Sequence, residues 1–202
     1  EQYIAYFPAE LCRVATERFA RFVYEGFTMR HLAEALGCSP KTPYRYFKDK
    51  ADILATVRAE AFARFADTLE AAAAGASDGP LDSARRVGDA YLRFADEHPH
   101  AYRIMFEIDH PISDEHPDLL RESKRARSFI TRQAEDMVKA GLINADPVLF
   151  GWSMWAATHG LVMLKQAGML DHAPDIRTLA GYHGALVFKG ALAASKKTGK
   201  KQ

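Results

Sequence analysis

Apolar residues recur along this chain every three or four positions, and no stretch alternates convincingly with a period of two. The pattern therefore predicts an all-α protein of about nine helices. A first helix is expected over residues 8–24: Pro8 opens it, Leu11, Ala15, Phe19, Phe22 and Val23 share one side, and Glu25-Gly26 closes it. Thr28 then stands as an N-cap before Met29, Leu32, Ala33 and Leu36, an apolar stripe about two turns long. Gly37 suits a left-handed C-cap, and Ser39-Pro40 reads as a second N-cap followed by proline at the first helical position. The next helix is expected from Pro40 to Tyr46. So short a separation leaves room only for a tight turn, which is the helix-turn-helix arrangement.

From Lys50 to Ala74 a long helix carries Ile53, Leu54, Val57, Ala61, Phe62, Phe65 and Leu69, long enough to leave the first fifty residues and enter whatever follows. The stretch Ala73 to Pro80, AAGASDGP, is the clearest linker. Beyond it, Ala84, Val87, Tyr91 and Phe94 mark a helix ending at His98-Pro99. A shorter one through Ala101, Ile104, Met105 and Phe106 ends before His110-Pro111, ahead of the polar loop PISDEHP. Leu119 or Leu120, Ala126, Phe129, Ile130, Gln133 and Met137 define another, stopped by Gly141. Two long apolar helices follow, one from Asp146-Pro147 to Gly168 and one from about Asp175 to Ala194. Small residues at Gly151, Ala156, Ala157, Gly160, Gly184, Ala185 and Gly190 allow close approach, either within one chain's core or between two copies.

Composition leaves this picture standing: 202 residues with 48% hydrophobic and 26% charged is ordinary for a globular protein. No apolar run approaches the roughly 18 residues of a membrane span and no signal-peptide pattern is read, so a cytoplasmic location without membrane attachment is expected. Two cysteines, Cys12 and Cys38, without metal-ligand partners at short spacing, fit a reducing compartment. Charge adds more. The net charge of +1 divides into +2 for residues 1–58, −5 for 59–195 and +4 for 196–202. A basic head on an acidic body suits a nucleic-acid module carried by a domain with another task, and SKKTGKKQ reads as a disordered basic tail.

The second short helix holds the chemistry. Residues 39–50 contain Lys41, Arg45, Lys48 and Lys50 against the single acid Asp49, a local charge of +3, interleaved with Thr42, Tyr44 and Tyr46. Lysines neutralise phosphates, tyrosine hydroxyls bond phosphate oxygens, and Arg45 or Lys41 has the donors to read a guanine edge in a major groove.

The run from Thr28 to Leu54, with GCSPKTPYRYFKDKADIL at its heart, resembles the TetR family of transcriptional regulators, whose members share a TxxxLAxxxGxSxxTxYxxFxxKxxL pattern. The resemblance implies a helix-turn-helix DNA-binding domain over 1–52, a helical effector-binding and dimerisation domain over 53–195, and the tail at 196–202. It implies DNA contacts from Thr28, Ser39, Pro40, Lys41, Thr42, Tyr44, Arg45, Tyr46, Lys48 and Lys50, with Thr28 and Lys50 gripping the backbone. It also favours homodimerisation through the last two helices. Pro43 departs from the pattern: the family usually has an apolar residue with an amide hydrogen there. At the fourth helical position proline removes the first intrahelical bond, so the recognition helix is expected to begin late or be tightened.

HPHAYRIMFE and WAATHGLVML resemble a subgroup of TetR-like C-terminal domains with Y-x-x-MF and W-x-x-x-HG segments. Tyr91, Phe94, Tyr102, Met105, Phe106, Trp152, Trp155 and His159 supply the aromatic and methionine surface of an apolar effector pocket, and equally of any helical core. His159 on an apolar helix is as readily a hydrogen-bonded packing residue as a ligand contact. The function expected is a sequence-specific repressor released from a palindromic DNA operator by a small hydrophobic effector, with no cofactor, no metal and no catalysis. Two other classes compete. A di-iron enzyme would use the Glu-x-x-His spacings Glu97/His100 and Glu107/His110, but Pro99 and Pro111 break the helices such a site needs. A loop metal could be held by Asp109, His110, Asp114, Glu115 and His116. A DNA-binding architectural protein would lack an effector cavity. There is no P-loop, dinucleotide fingerprint or nucleophile elbow.

Overall fold

The computed structural model describes residues 2–108, 111–112 and 114–198. Among them there are eight α-helices, one 3₁₀ turn and no strand. In order these are α1 (Gln2–Gly26), α2 (Met29–Ala35), the 3₁₀ turn (Pro43–Arg45), α3 (Lys50–Ala74), α4 (Gly79–Glu97), α5 (Pro99–Phe106), α6 (Pro117–Lys139), α7 (Pro147–Gln166) and α8 (Ile176–Thr198).

Most helix ends sit where the caps predict. Thr28 Oγ1 accepts the His31 amide at 3.1 Å to open α2, and Asp146 Oδ1 accepts the amides of Val148 and Leu149 to open α7. Gly37, Gly141 and Gly168 follow α2, α6 and α7 with φ of 64°, 70° and 69°, the left-handed geometry that ends a helix without a Cβ penalty.

Three boundaries differ from expectation. The helix expected to open at Pro8 runs through it from Gln2, because proline's fixed φ is helical and what the ring costs is one bond to the carbonyl four residues back. The linker shrinks to residues 75–78, since α3 continues to Ala74 and Gly79, at φ 78°, already opens α4. At the other end α8 extends to Thr198, so the first residues of the expected disordered tail are helical; 199–202 lie outside the described residues.

By packing, the chain divides into two compact units, Glu1–Ala66 with Glu97–Ala126, and Asp67–Asp96 with Arg127–Gln202. This division does not coincide with the expected boundary at residue 53: α3 and α6 each belong partly to one unit and partly to the other. In the first unit α1 packs on α2 and α5 around Leu11, Ala15, Phe19, Leu32, Ile53, Leu54, Val57 and Ile104, all buried. Phe19 stacks on Phe27 with centroids 3.9 Å apart, closing the corner between α1 and α2. In the second unit α7 packs on α8, and Met137, Ile143 and Ala191 are buried against Phe150, Phe188, Leu142 and Leu81. Gly151 of α7 comes so close to α6 that a Cβ there would lie 2.0 Å from the Ile130 carbonyl oxygen. Salt bridges Lys165–Asp96 at 2.6 Å and Arg177–Asp89 at 3.3 Å join α7 and the N-terminal turn of α8 to α4.

Candidate nucleic-acid interface

The segment after α2 is not the α-helix expected over Pro40–Tyr46. The Thr42 amide donates to the Ser39 carbonyl at 2.8 Å, the Arg45 amide to the Thr42 carbonyl at 3.1 Å, and the Tyr46 amide to the Pro43 carbonyl at 3.1 Å. Each reaches back three residues, the 3₁₀ spacing, before the Phe47 amide returns to the four-residue spacing on the Pro43 carbonyl at 3.1 Å. Pro43 is the physical reason. An α-helix capped at Ser39 would have residue 43 donate to the Ser39 carbonyl. Proline has no such hydrogen, and Thr42 takes that acceptor instead.

The turn sorts its side chains by side. Pro43 is fully buried, packed toward α2, whereas Tyr44 is 56% exposed and Tyr46 40%. Ser39, Pro40, Lys41, Arg45 and Lys48 are exposed and Thr42 is half-buried. Among the described residues the side chains of Lys41, Arg45 and Lys48 make no hydrogen bond or ion pair. The two nearby acids are occupied: Asp49 Oδ1 accepts the Asp52 amide at 3.0 Å, and Asp52 Oδ2 accepts the Lys48 amide at 3.0 Å, so both carboxylates cap the N-terminus of α3. What faces solvent is a patch of three cations without a side-chain partner among the described residues, beside the exposed Tyr44 and Tyr46.

Thr28, Ser39 and Lys50, among the ten residues expected at DNA, spend side-chain atoms inside the protein; the Ser39 hydroxyl oxygen accepts the Lys41 amide at 3.4 Å. Thr28 is exposed, but its hydroxyl oxygen caps α2. Lys50 is half-buried: its Nζ donates to the Tyr24 carbonyl at 2.7 Å and sits 4.0 Å from the Tyr24 ring centroid, tying the start of α3 to the last turn of α1. Cys12 offers no switch at this surface. Burial, followed by the neighbouring Glu60 carboxylate, pushes the Cys12 thiol up to about 12, which keeps it neutral and unreactive, and Cys38 is half-buried in the turn.

The eight residues expected to line an effector pocket divide between the two units. In the first, Tyr102 and Met105 are buried, and Phe106 is tilted on Tyr102 at 4.8 Å and edge-on to Phe62 at 5.9 Å. In the second, the Tyr91 hydroxyl lies 3.5 Å from His159 Nδ1, His159 stacks on Trp155 at 5.1 Å, and Trp155 meets Trp152 edge-on at 5.4 Å; Phe94 is buried in α4. Burial holds the His159 imidazole below the ordinary histidine pKa.

An open cleft of about 480 Å³ in the first unit, between α3 and the start of α6, is lined by none of the eight. Its walls are mixed, Ala55, Ala59, Ala63 and Leu119 alternating with Asp52, Glu60, Glu115, Asp118 and Glu122, and Arg121 pairs with Asp118 at 2.5 Å and Glu122 at 2.9 Å. Among the described residues no group of three His, Cys, Asp or Glu side chains could hold a metal ion; Asp109 and His110 of the proposed loop metal lie outside them. Glu97 ends α4 and Pro99 opens α5, so Glu97 and His100 fall on different helices.

The sequence reading did not foresee that α7, α8 and the loop between them leave large apolar side chains in water: Leu149 at 73% exposure, Met169 at 71% and Tyr182 at 67%, with Val148, Trp152 and Leu186 also exposed. The signal was available, because apolar residues run all the way round α7 rather than in one stripe, as in a helix buried on more than one side. No helix among the described residues is long and apolar enough to cross a membrane.

Two family models match the chain: bacterial regulatory proteins of the tetR family over residues 11–57, and the tetracyclin repressor-like C-terminal domain over residues 84–183. The second spans the HPHAYRIMFE and WAATHGLVML segments but names no W-x-x-x-HG subgroup. A bacterial regulatory protein in the tetR family from Rhodococcus RHA1 superposes with a TM-score of 0.74 at 21% identity, covering 91% of this chain and 95% of its own. The TetR family transcriptional regulator PfmR from Thermus thermophilus gives 0.71 at 20% identity, covering 89% and 97%. The transcriptional regulator FadR from Bacillus subtilis, in complex with stearoyl-CoA, gives 0.74 at 17% identity, covering 90% and 98%. At these identities the likeness is one of fold. No curated protein sequence matches.

Proposed function

This chain belongs to the TetR family of bacterial transcriptional regulators, and from that premise we propose that it is a homodimeric repressor released from a palindromic operator by a small hydrophobic effector. The observation that carries the DNA end of the proposal is the patch of Lys41, Arg45 and Lys48, without side-chain partners among the described residues, around exposed Tyr44, with the neighbouring carboxylates spent on the cap of α3. Lys41 and Lys48 meet phosphates, Tyr44 and Tyr46 bond phosphate oxygens, and Arg45 reads a base edge. Ser39, Pro40 and Thr42 border the groove. Thr28 and Lys50 hold the element in place, with their remaining donors directed to the DNA backbone.

Dimerisation follows from the apolar side chains that α7 and α8 expose: a second copy of the same face covers Leu149, Trp152, Tyr182 and Leu186 by two-fold symmetry. Two recognition turns then present themselves to successive half-sites, roughly 34–36 Å apart or a multiple of that. The effector is hydrophobic, a choice supported by the aromatic and methionine side chains around Tyr102 and around His159, and by the stearoyl-CoA in the FadR of like fold. Its binding among the helices after Pro80 tilts α3, the continuous helix that starts beside the recognition turn, and alters the separation of the two turns. Operator and effector weaken each other by the same factor, since coupling free energy is reciprocal. No catalytic step is involved. Selection of bound sequences from a random DNA pool at physiological salt tests this directly: a palindrome is expected, and only salt-sensitive, sequence-blind binding would contradict it.

A further inference from the structure

Resting on the DNA-binding proposal above, we infer that Pro43 is the positioning residue that fixes which bases this protein reads, by holding the recognition segment as a 3₁₀ turn that sets the angle and rise between Tyr44 and Arg45. In an α-helix begun at Pro40, residues 41, 44, 45 and 48 would fall at i, i+3, i+4 and i+7, one stripe along a groove. The hydrogen bonds from Thr42 to Ser39, Arg45 to Thr42 and Tyr46 to Pro43 replace that geometry with three residues per turn. Successive side chains then stand about 120° apart. With the Pro43 ring buried on the inner side, Tyr44 and Arg45 take the two outer sides. The tighter turn thus changes both the angle between successive side chains, from about 100° to about 120°, and the rise per residue, from about 1.5 to about 2.0 Å, relative to what an α-helix would give Tyr44 and Arg45.

Both consequences follow from one missing hydrogen. Any other residue at position 43 restores a donor for the Ser39 carbonyl, releases the Thr42 amide from it, and permits the α-helical stripe. The phosphate contacts come from side chains that stay exposed in either geometry, so the number of neutralised phosphates should survive the change while the specified bases do not.

The test compares the sequences selected from a random DNA pool by the full-length protein, by Pro43→Ala and by Pro43→Leu, the last keeping an apolar side chain in the buried slot. The expected result is a palindrome from all three, with the two variants agreeing with each other and differing from the parent at one or more positions of the half-site. The salt dependence of binding to non-specific DNA should be the same for all. Identical half-sites from parent and variants would overturn the role of Pro43 while leaving the repressor proposal intact. Absence of any selected sequence from the parent would instead remove the DNA-binding proposal itself. Should neither variant fold, amide-to-α-proton contacts in the parent decide the matter: contacts at i to i+2 across residues 42–46 are expected, and an unbroken i to i+4 series from Pro40 would overturn the inference.

Discussion

Tyr44 and Pro43 are neighbours with opposite fates, one more than half exposed and the other fully buried, in a turn where Thr42 takes the Ser39 carbonyl because proline has no amide hydrogen to give it. Because Tyr44 and Lys48 point into water, Tyr44→Ala and Lys48→Ala should change thermal stability by no more than about 0.5 kcal/mol, the usual range for surface sites. DNA affinity should fall in each. For Lys48→Ala the loss should be uniform across sequences, with the slope of log affinity against log salt reduced by about one; an unchanged slope would remove Lys48 from the phosphate contacts. His159 gives a pH signature. Its folded pKa is lowered by burial, so below the ordinary value of about 6.5 the unfolded chain binds a proton that the folded chain resists, and stability falls as pH drops. The melting temperature should decline from pH 7 to pH 5, and His159→Gln should flatten that decline; an equal decline in both would place the effect elsewhere. At this scale the sequence was informative about chemistry and less so about geometry. The TxYxxFxxK spacing named side chains that the fold leaves exposed, Tyr44 and Lys48 among them, and Pro43 warned of a tightened turn. That Lys50 would turn inward to the Tyr24 carbonyl, twenty-six residues away in sequence, depends on tertiary placement that no local pattern carries.

Helices are the part of this molecule that periodicity and caps predict best, because each cap is a bond made within three or four residues of the sequence that specifies it. Thr28, Asp146, Gly141 and Gly168 end or begin helices where expected. Pro8 misled because proline stops a helix only when the lost bond and ring clash outweigh the helix on either side. The recognition helix was misjudged for the converse reason: its one turn has no length to absorb the same defect. Sequence marks Gly151 as one of seven small residues that allow close approach, but not that α6 is the element laid across it. Gly151→Ala would drive a Cβ into the Ile130 carbonyl, and since backbone cannot step aside as a side chain can, we expect a loss of about 2–3 kcal/mol by thermal or denaturant unfolding. A variant as stable as the parent would mean that α6 and α7 are not so closely packed.

At the scale of the whole molecule, one chain leaves unburied what a stable protein normally covers. Leu149, Met169, Tyr182 and Leu186 expose an apolar surface on α7, α8 and the loop between them, and the proposed dimer is the element that gives it a partner. Leu186→Glu should leave the helices of a single chain intact while shifting the protein to monomer in sedimentation, and operator affinity should drop by orders of magnitude because two weak half-site contacts no longer act together. The resemblance to regulators of the TetR family was readable from the first quarter of the chain, where a dense motif sits. The second half is read only through its helices: an apolar pocket and an apolar core use the same residues, so the sequence offers candidates for effector contact without gathering them into one site. The most direct measurement is the mass of the protein–DNA complex in solution, by sedimentation or native mass spectrometry, on the palindrome recovered by selection. Two protomers on one duplex are predicted, with the Leu186→Glu protein failing to form that complex at the same concentration. A complex of a single protomer with the full palindrome, at undiminished affinity in the variant, would contradict the dimeric repressor outright.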